Sequence, residues 1–434
     1  MIAPRQRADA HLEPIDLLIH NASQLITCAG GHGPRRGAAM RELGVIAGGA
    51  VAVRGERIVA VGPEAELRTR YSASDELDAR GAAVVPGLVD PHTHVVYAGD
   101  RVGEFEQRVG GASYQEIMAA GGGIASTARA TRAASVAQLV AETRRRLDQM
   151  LRLGTTTAEA KSGYGLELAA ELRQLEAVAN LDLSHAVDLV PTFLGAHAVP
   201  PEYAGRSDAY VELVIEEMLP AAARWHAASQ FAASGTPLFV DVFCERGAFD
   251  VAQSRRVLAA AMALGLPLKA HVDEFSELGG LAMALELGAV SVDHLDVTGP
   301  EGIALLAASA AVGVVIPTVP FNLGGTQFAP ARAMIDAGAA IALTTDINPG
   351  SAPCPSLPLA MAIACRYQRL MPAEALVAAT LNAAYAVGLG ARVGSLEPGK
   401  LADVLILDTS DWRHLAYEFG GNLVRSVVKR GRMV

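Results

Sequence analysis

From residue 84 to about residue 390 the chain keeps one rhythm. Short apolar, β-branched runs alternate with Ala-, Leu- and Glu-rich stretches. The runs lie at 84–89, 155–160, 187–193, 238–243, 268–272, 290–294, 312–317 and 340–345. The stretches at 136–153, 209–229, 251–264, 279–287 and 329–337 read as helices, and 357–367 and 372–387 follow the last run. Parallel strands need a long crossover, usually helical, so this alternation points to a parallel sheet. Eight strand–helix units is the number that closes a (β/α)8 barrel. The expected fold class is therefore α/β, with a distorted TIM-type barrel over residues 86–391.

The two ends follow a different pattern. Runs at 15–19, 25–27, 49–53 and 58–61 are short and broken by Gly, Asn and Pro, and 30–37 reads as a loop. The tail offers further strands at 403–408 and 423–429. Neither end has enough strands for a sandwich alone. The economical arrangement is one small β-sandwich domain built from both, residues 1–85 with 392–434, since chain termini commonly lie close together.

Composition narrows the function. A net charge of −10 argues against nucleic acid or an anionic membrane as partner. Aromatic residues at 5% give no platform for stacking bases. The four cysteines have no short-spaced pair, which suits reduced thiols in the cytoplasm. The N-terminal stretch lacks the apolar core of a signal peptide, and no run is long enough to span a membrane.

In a (β/α)8 barrel the chemistry sits at the C-terminal ends of the strands, so the run ends carry the information. His92 and His94 follow the first run, His271 ends the fifth, His294 ends the sixth, and Asp346 follows the eighth. An H-x-H continuing a strand puts both imidazoles on one face. Each residue alone reads as structural, but a chance scatter of 11 histidines does not usually gather so many at strand ends. Together they point to a metal hydrolase site.

The pattern P-G-x-V-D-x-H-x-H after the first run, a His after the fifth and sixth, an Asp after the eighth and the tail "GSLEPGKLADVLILD" resemble the amidohydrolase superfamily. Within it the chain resembles the imidazolonepropionases, on "HTHVVYAGDRVGEFEQR", "GASYQEI", "GGGIASTARATR", "TTTAEAKSGYGL", "TFLGAHAVPPEY", "DVFCERGAF", "KAHVDEFSELGG" and "TTDINPGS". The likeness covers nearly the whole chain; the first 14 residues and the 30–37 loop carry none of it.

The resemblance implies hydrolysis of the ring amide of 4-imidazolone-5-propanoate to N-formimidoyl-L-glutamate by a homodimeric enzyme of histidine degradation. Binuclear superfamily members carry a carboxylated lysine after the fourth strand. Here that position reads Val242-Phe243-Cys244-Glu245, and Lys161 follows the second run, where no such bridge is expected. The expectation is one divalent ion per chain, Zn²⁺ or Fe²⁺, on His92, His94, His271 and Asp346. Glu245 reads as a carboxylate hydrogen-bonded in the barrel mouth, with ligation of a second ion as the alternative.

Glu274, His294 and Asp346 are the expected catalytic groups, for proton transfer and for polarising the carbonyl. Arg101 is the candidate for the substrate's carboxylate tail. Tyr114, Tyr164, His197, Glu274, Asn348, Gly350 and Ser351 match the family's substrate pocket. Two other classes stay open: a cytosine or guanine aminohydrolase, which would not need Arg101, and a non-catalytic barrel, which would usually have lost ligands.

Overall fold

The structure, a computed structural model, describes residues 12–112, Glu116 and 121–434. The N-terminal part forms β1 (Glu13–Ile26), β2 (Val45–Arg54), β3 (Arg57–Pro63), β4 (Tyr71–Asp78) and β5 (Ala83–Pro86). The two runs expected at 15–19 and 25–27 are one long strand. A bulge between Ile19 and Ala22 lets it turn, with Asn21 in the left-handed region at φ 57°. Before the bulge β1 pairs with β4, and after it with β5, both in parallel. β4 was not expected, because in YSASDELD the apolar positions Tyr71, Ala73 and Leu77, which pack on the core, are spaced out by Ser, Asp and Glu in a mostly polar stretch.

The barrel strands are β6 (Leu88–Asp90), β7 (Thr155–Lys161), β8 (Asp188–Ala196), β9 (Phe239–Cys244), β10 (Lys269–Val272), β11 (Ser291–His294), β12 (Val312–Val315) and β13 (Ala340–Leu343). They form an 8-stranded sheet in sequence order, all neighbours parallel. Across the seam between β13 and β6 the joining falls mostly to side chains. The Asp90 carboxylate accepts from Thr344 Oγ1 at 2.5 Å, Thr345 N at 3.1 Å and Thr345 Oγ1 at 2.5 Å.

The tail supplies β14 (Val404–Leu407), β15 (Val424–Lys429) and β16 (Arg432–Met433), which extend the N-terminal sheet through β14 against β5. The run expected at 84–89 is thus divided between two sheets. Pro86 ends β5, and Gly87 N then donates to Asp403 O while Leu88 N donates to Gly154 O. A side chain at Gly87 would place its Cβ 2.3 Å from Thr156 Oγ1, so only glycine lets the chain pass from one sheet to the other.

Two expected helices are interrupted. The stretch 209–229 runs as Ser207–Leu213, a wide π-type turn Val214–Met218, and Leu219–Ala227. Pro220 lies just past the wide turn; it has no N–H and crowds the carbonyl four residues back. The stretch 372–387 breaks into Pro372–Ala378 and Leu381–Ala386. The break frees the Ala379 carbonyl to accept from Val89 N of β6 at 2.9 Å. Helix Val136–Arg152 starts at a Ser135–Gln138 capping box and Val251–Ala263 at an Asp250–Gln253 box, each offsetting unpaired N–H groups. Among the described residues no helix is long and apolar enough to cross a membrane.

Candidate metal centre

β6 ends at Asp90, so His92 and His94 follow it outside any strand rather than continuing it, and His94 N donates to Ile347 O across the seam at 3.1 Å. His271 stands inside β10, His294 ends β11, and Asp346 follows β13. All five are buried. His92 Nε2 and His94 Nε2 lie 3.4 and 3.5 Å from Asp346 Oδ1, and His94 Nε2 faces His271 Nε2 at 3.3 Å. His294 and Asp346 have left-handed backbones, φ 81° and 49°. For residues with a Cβ that is a strained setting, and here it turns the side chains inward past the strand ends.

His92 Nε2 and Asp346 Oδ1 are buried without any hydrogen-bond partner. Burial pushes His92 and His94 well below the ordinary imidazole range and His271 down to about 3. The three rings are therefore neutral and offer lone pairs. Burial also raises the Asp346 carboxyl well above its usual range, so its ionised form needs a cation beside it. The ring nitrogens of His92, His94 and His271 cluster together, and His92 and His94 also face the Asp346 oxygen; imidazole nitrogens with a carboxylate oxygen fit a borderline divalent ion such as Zn²⁺ or Fe²⁺.

Beneath this layer lies a second one made wholly of charges. Side chains alternate along a strand, so Glu159 and Lys161 of β7, Asp241 of β9, Lys269 of β10 and Asp293 of β11 all point into the barrel. Each is fully buried. Asp293 Oδ2 meets His92 Nδ1 at 2.6 Å. Asp241 Oδ2 lies 3.0 Å from His271 Nδ1, off the line of a hydrogen bond. Lys161 Nζ donates to Asp241 Oδ2 at 2.6 Å and lies 2.9 Å from Glu159 and 3.7 Å from Asp293. Burial opposes the charge on Lys161, but Asp241, Glu159 and Asp293 outweigh it and raise its pKa above the ordinary lysine range. Lys269 Nζ donates to Pro91 O at 2.9 Å and lies 3.0 Å from Glu159.

On the open side, Glu274 Oε2 lies 3.7 Å from His294 Nε2, and Asp296 Oδ2 lies 3.8 Å from His294 Nδ1. Burial raises the Glu274 carboxyl to about 7. Burial opposes charge on His294, but Glu274, Asp296 and Asp346 outweigh it and raise the ring to about 9. His197 stacks on His94 with centroids 4.9 Å apart, and its Nδ1 bonds the Gly163 carbonyl at 2.9 Å. Tyr164 packs against both rings, at 5.8 Å from His94 and 5.3 Å from His197.

Arg101 Nε donates to Glu104 Oε2 at 2.7 Å, and Glu104 Oε1 accepts from Gly123 N at 3.0 Å. A Cβ on Gly350 would fall 2.1 Å from Arg101 Nη1, so the glycine makes room for the guanidinium. Asn348 Nδ2 donates to Asp346 Oδ2 at 3.0 Å and Ser351 Oγ at 2.9 Å, while its Oδ1 accepts from Gly350 N and Ser351 N at 2.8 Å each. Its amide thus holds the Asp346 loop in shape. Tyr114 lies outside the described residues. Glu245 accepts from Phe275 N at 2.9 Å and Ser276 N at 3.0 Å, bracing the loop that carries Glu274.

Sequence reasoning gave no role to Asp90, Glu159, Asp241, Lys269 or Asp293, and left Lys161 unexplained. The available signal was a charge at an inward position of an otherwise apolar run, as in "FVDVF", "PLKAHV" and "VSVDH".

The amidohydrolase family model matches residues 83–434, and a bacterial imidazolonepropionase-like composite domain matches 49–71. An imidazolonepropionase of Chloroflexus aggregans is 67% identical over 98% of this chain and 99% of its own length. One of Geobacillus kaustophilus is 48% identical over 96% and 97%. Among solved structures, an adenosine deaminase from Xanthomonas campestris with bound zinc aligns with a TM-score of 0.69 at 22% identity, covering 97% of this chain and 93% of that one. Guanine deaminase of E. coli aligns with a TM-score of 0.69 at 16% identity, covering 96% and 98%. Those two likenesses speak for the fold. With the family match spanning the barrel and the relatives matching nearly end to end, the chain belongs to the amidohydrolase family, among its imidazolonepropionases.

Proposed function

We propose that the chain hydrolyses the cyclic amide of 4-imidazolone-5-propanoate to N-formimidoyl-L-glutamate, with one Zn²⁺ or Fe²⁺ ion per chain on His92, His94, His271 and Asp346. The observation that carries it is the cluster of His92, His94 and His271 ring nitrogens, two of which, His92 Nε2 and His94 Nε2, also face an otherwise unpartnered Asp346 oxygen. The near full-length likeness to imidazolonepropionases supports the choice of substrate. When bound, the ion supplies positive charge that acidifies water and polarises a carbonyl.

The protein's own groups then divide the work. Glu274, with its carboxyl raised to about 7, takes the proton from the attacking water near neutral pH and returns it to the ring nitrogen as the C–N bond breaks. His294 faces Glu274 and donates an N–H toward the carbonyl oxygen as negative charge grows there. Arg101 holds the propionate, Tyr164 and His197 wall the ring, and Asn348 fixes the rotamer of Asp346. We take the enzyme to be a cytoplasmic homodimer, as its family implies; all four cysteines are free thiols, and sedimentation tests the dimer.

The test follows imidazolone absorbance with ion-loaded protein. Rapid loss of the ring signal is expected. Ammonia release from cytosine or guanine, with the imidazolone untouched, would sink this reading in favour of an aminohydrolase. Elemental analysis should give about one ion per chain; two at full occupancy would overturn the single-ion reading.

A further inference from the structure

We propose that Lys161 is a positioning residue for the metal centre, acting through Asp293 and Asp241 on the two histidine ligands His92 and His271. This rests on the reading of His92, His94, His271 and Asp346 as the ion's ligands.

A neutral imidazole can present Nε2 to a cation only if its proton sits on Nδ1, and what Nδ1 faces decides that. His92 Nδ1 faces Asp293 Oδ2 at 2.6 Å, and His271 Nδ1 faces Asp241 Oδ2 at 3.0 Å. Those same two oxygens are the ones Lys161 addresses, at 3.7 and 2.6 Å. The remaining oxygens are fixed by other donors. Ser291 Oγ donates to Asp293 Oδ1 at 2.7 Å, and Val242 N to Asp241 Oδ1 at 2.7 Å. Both carboxylates are fully buried, so protein groups rather than water must hold them in place. Lys161 Nζ, set between them, holds both against the Nδ1 sides of His92 and His271, and so keeps the Nε2 sides of two proposed ligand rings turned toward the ion site. The same surroundings argue against a carbamate on this lysine, because a negative group would face three carboxylates within 4 Å.

The experiment loads wild type, Lys161→Met and Lys161→Arg with Zn²⁺ and follows its release to a chromogenic chelator. Parallel Co²⁺-loaded samples give the visible absorption of the site. Outer partners of metal-bound histidines typically contribute about ten- to a hundredfold in affinity. Lys161→Met should release zinc faster by about that factor and alter the cobalt spectrum, with kcat at saturating metal falling less than affinity. Lys161→Arg should recover part of both. Wild-type release and spectrum in a folded Lys161→Met protein would overturn the proposal. If that variant does not fold, Asp293→Asn and Asp241→Asn take its place. Each should weaken zinc binding, Asp293→Asn more because its contact to histidine is the aligned one, and unchanged binding in both overturns the proposal equally. Failure of wild type to retain any zinc would instead refute the ligand assignment itself.

Discussion

The upper barrel holds two layers of charged and titratable side chains that obey opposite rules. In the lower layer Glu159, Lys161, Asp241, Lys269 and Asp293 are paired with one another within about 4 Å. In the upper layer, by contrast, His92 Nε2 and Asp346 Oδ1 are left without a partner. Burying a charge or polar group unpaired is expensive, so the lower layer reads as self-sufficient and the upper one as waiting for something else. The lesson is that burial alone does not mark a site. Unmet bonding capacity beside paired charge does.

That contrast predicts that upper-layer changes damage chemistry and lower-layer changes damage retention of the ion. The largest effect should come from Asp346→Ala. It removes a proposed ion ligand and is expected to lower kcat/KM by more than about a thousandfold while circular dichroism stays near wild type, since several kcal/mol of transition-state stabilisation would disappear. Near-normal turnover in a folded, ion-loaded variant would erase the distinction between the layers.

Next is Glu274→Gln, expected to lower kcat by about a hundredfold or more, in the range of a lost general base. Because burial raises this carboxyl to about 7, the wild-type rate should climb with pH through that region as the base ionises. The variant should lose that limb, and a pH profile with the same shape in both proteins would remove Glu274 from the proton path.

Arg101→Ala should cost about ten- to a hundredfold in kcat/KM for the substrate bearing a carboxylate tail, as a charge-assisted contact is worth roughly 1.5–3 kcal/mol. A ring without the tail should be affected much less, and Arg101→Lys should restore only part, lacking the planar fork. Equal losses for both rings would make Arg101 a shaping residue.

The smallest effect on the loaded enzyme belongs to the lower layer. Asp241→Asn should leave kcat at saturating metal within a few-fold of wild type while zinc release speeds up about tenfold. A collapse of kcat with unchanged release would invert the comparison.

The two layers also differed in how far they could be read from the sequence. His92, His94, His271, His294 and Asp346 stand at the ends of runs, where barrel topology tells a reader to look. Asp241 and Asp293 stand one inward position below ligand height, and their meaning depends on which neighbour the barrel brings opposite. That is a tertiary fact: Asp293 meets His92 across 201 positions of sequence. Most of the eight runs were legible because fully buried parallel strands are nearly continuously apolar, while 155–160 (TTTAEA) stood out by its β-branched threonines. β4 was not, since its few apolar positions, Tyr71, Ala73 and Leu77, are scattered among polar ones, and Pro86–Gly87 hid the change of sheet inside one apolar run.

The Asp90 clasp has a consequence for how the molecule comes apart. It joins the first barrel strand to the last, and the proposed ligands straddle the same join, His92 and His94 on one lip and Asp346 on the other. An ion seated there rivets the two edges of the rolled sheet. Unrolling and ion loss then become one event, because neither lip can leave while both hold the rivet, and ligand that binds only the closed form raises its stability. Amide exchange at residues 88–94 and 344–347 should therefore slow on loading far more than at the β8–β9 boundary, where a backbone ladder already holds the sheet.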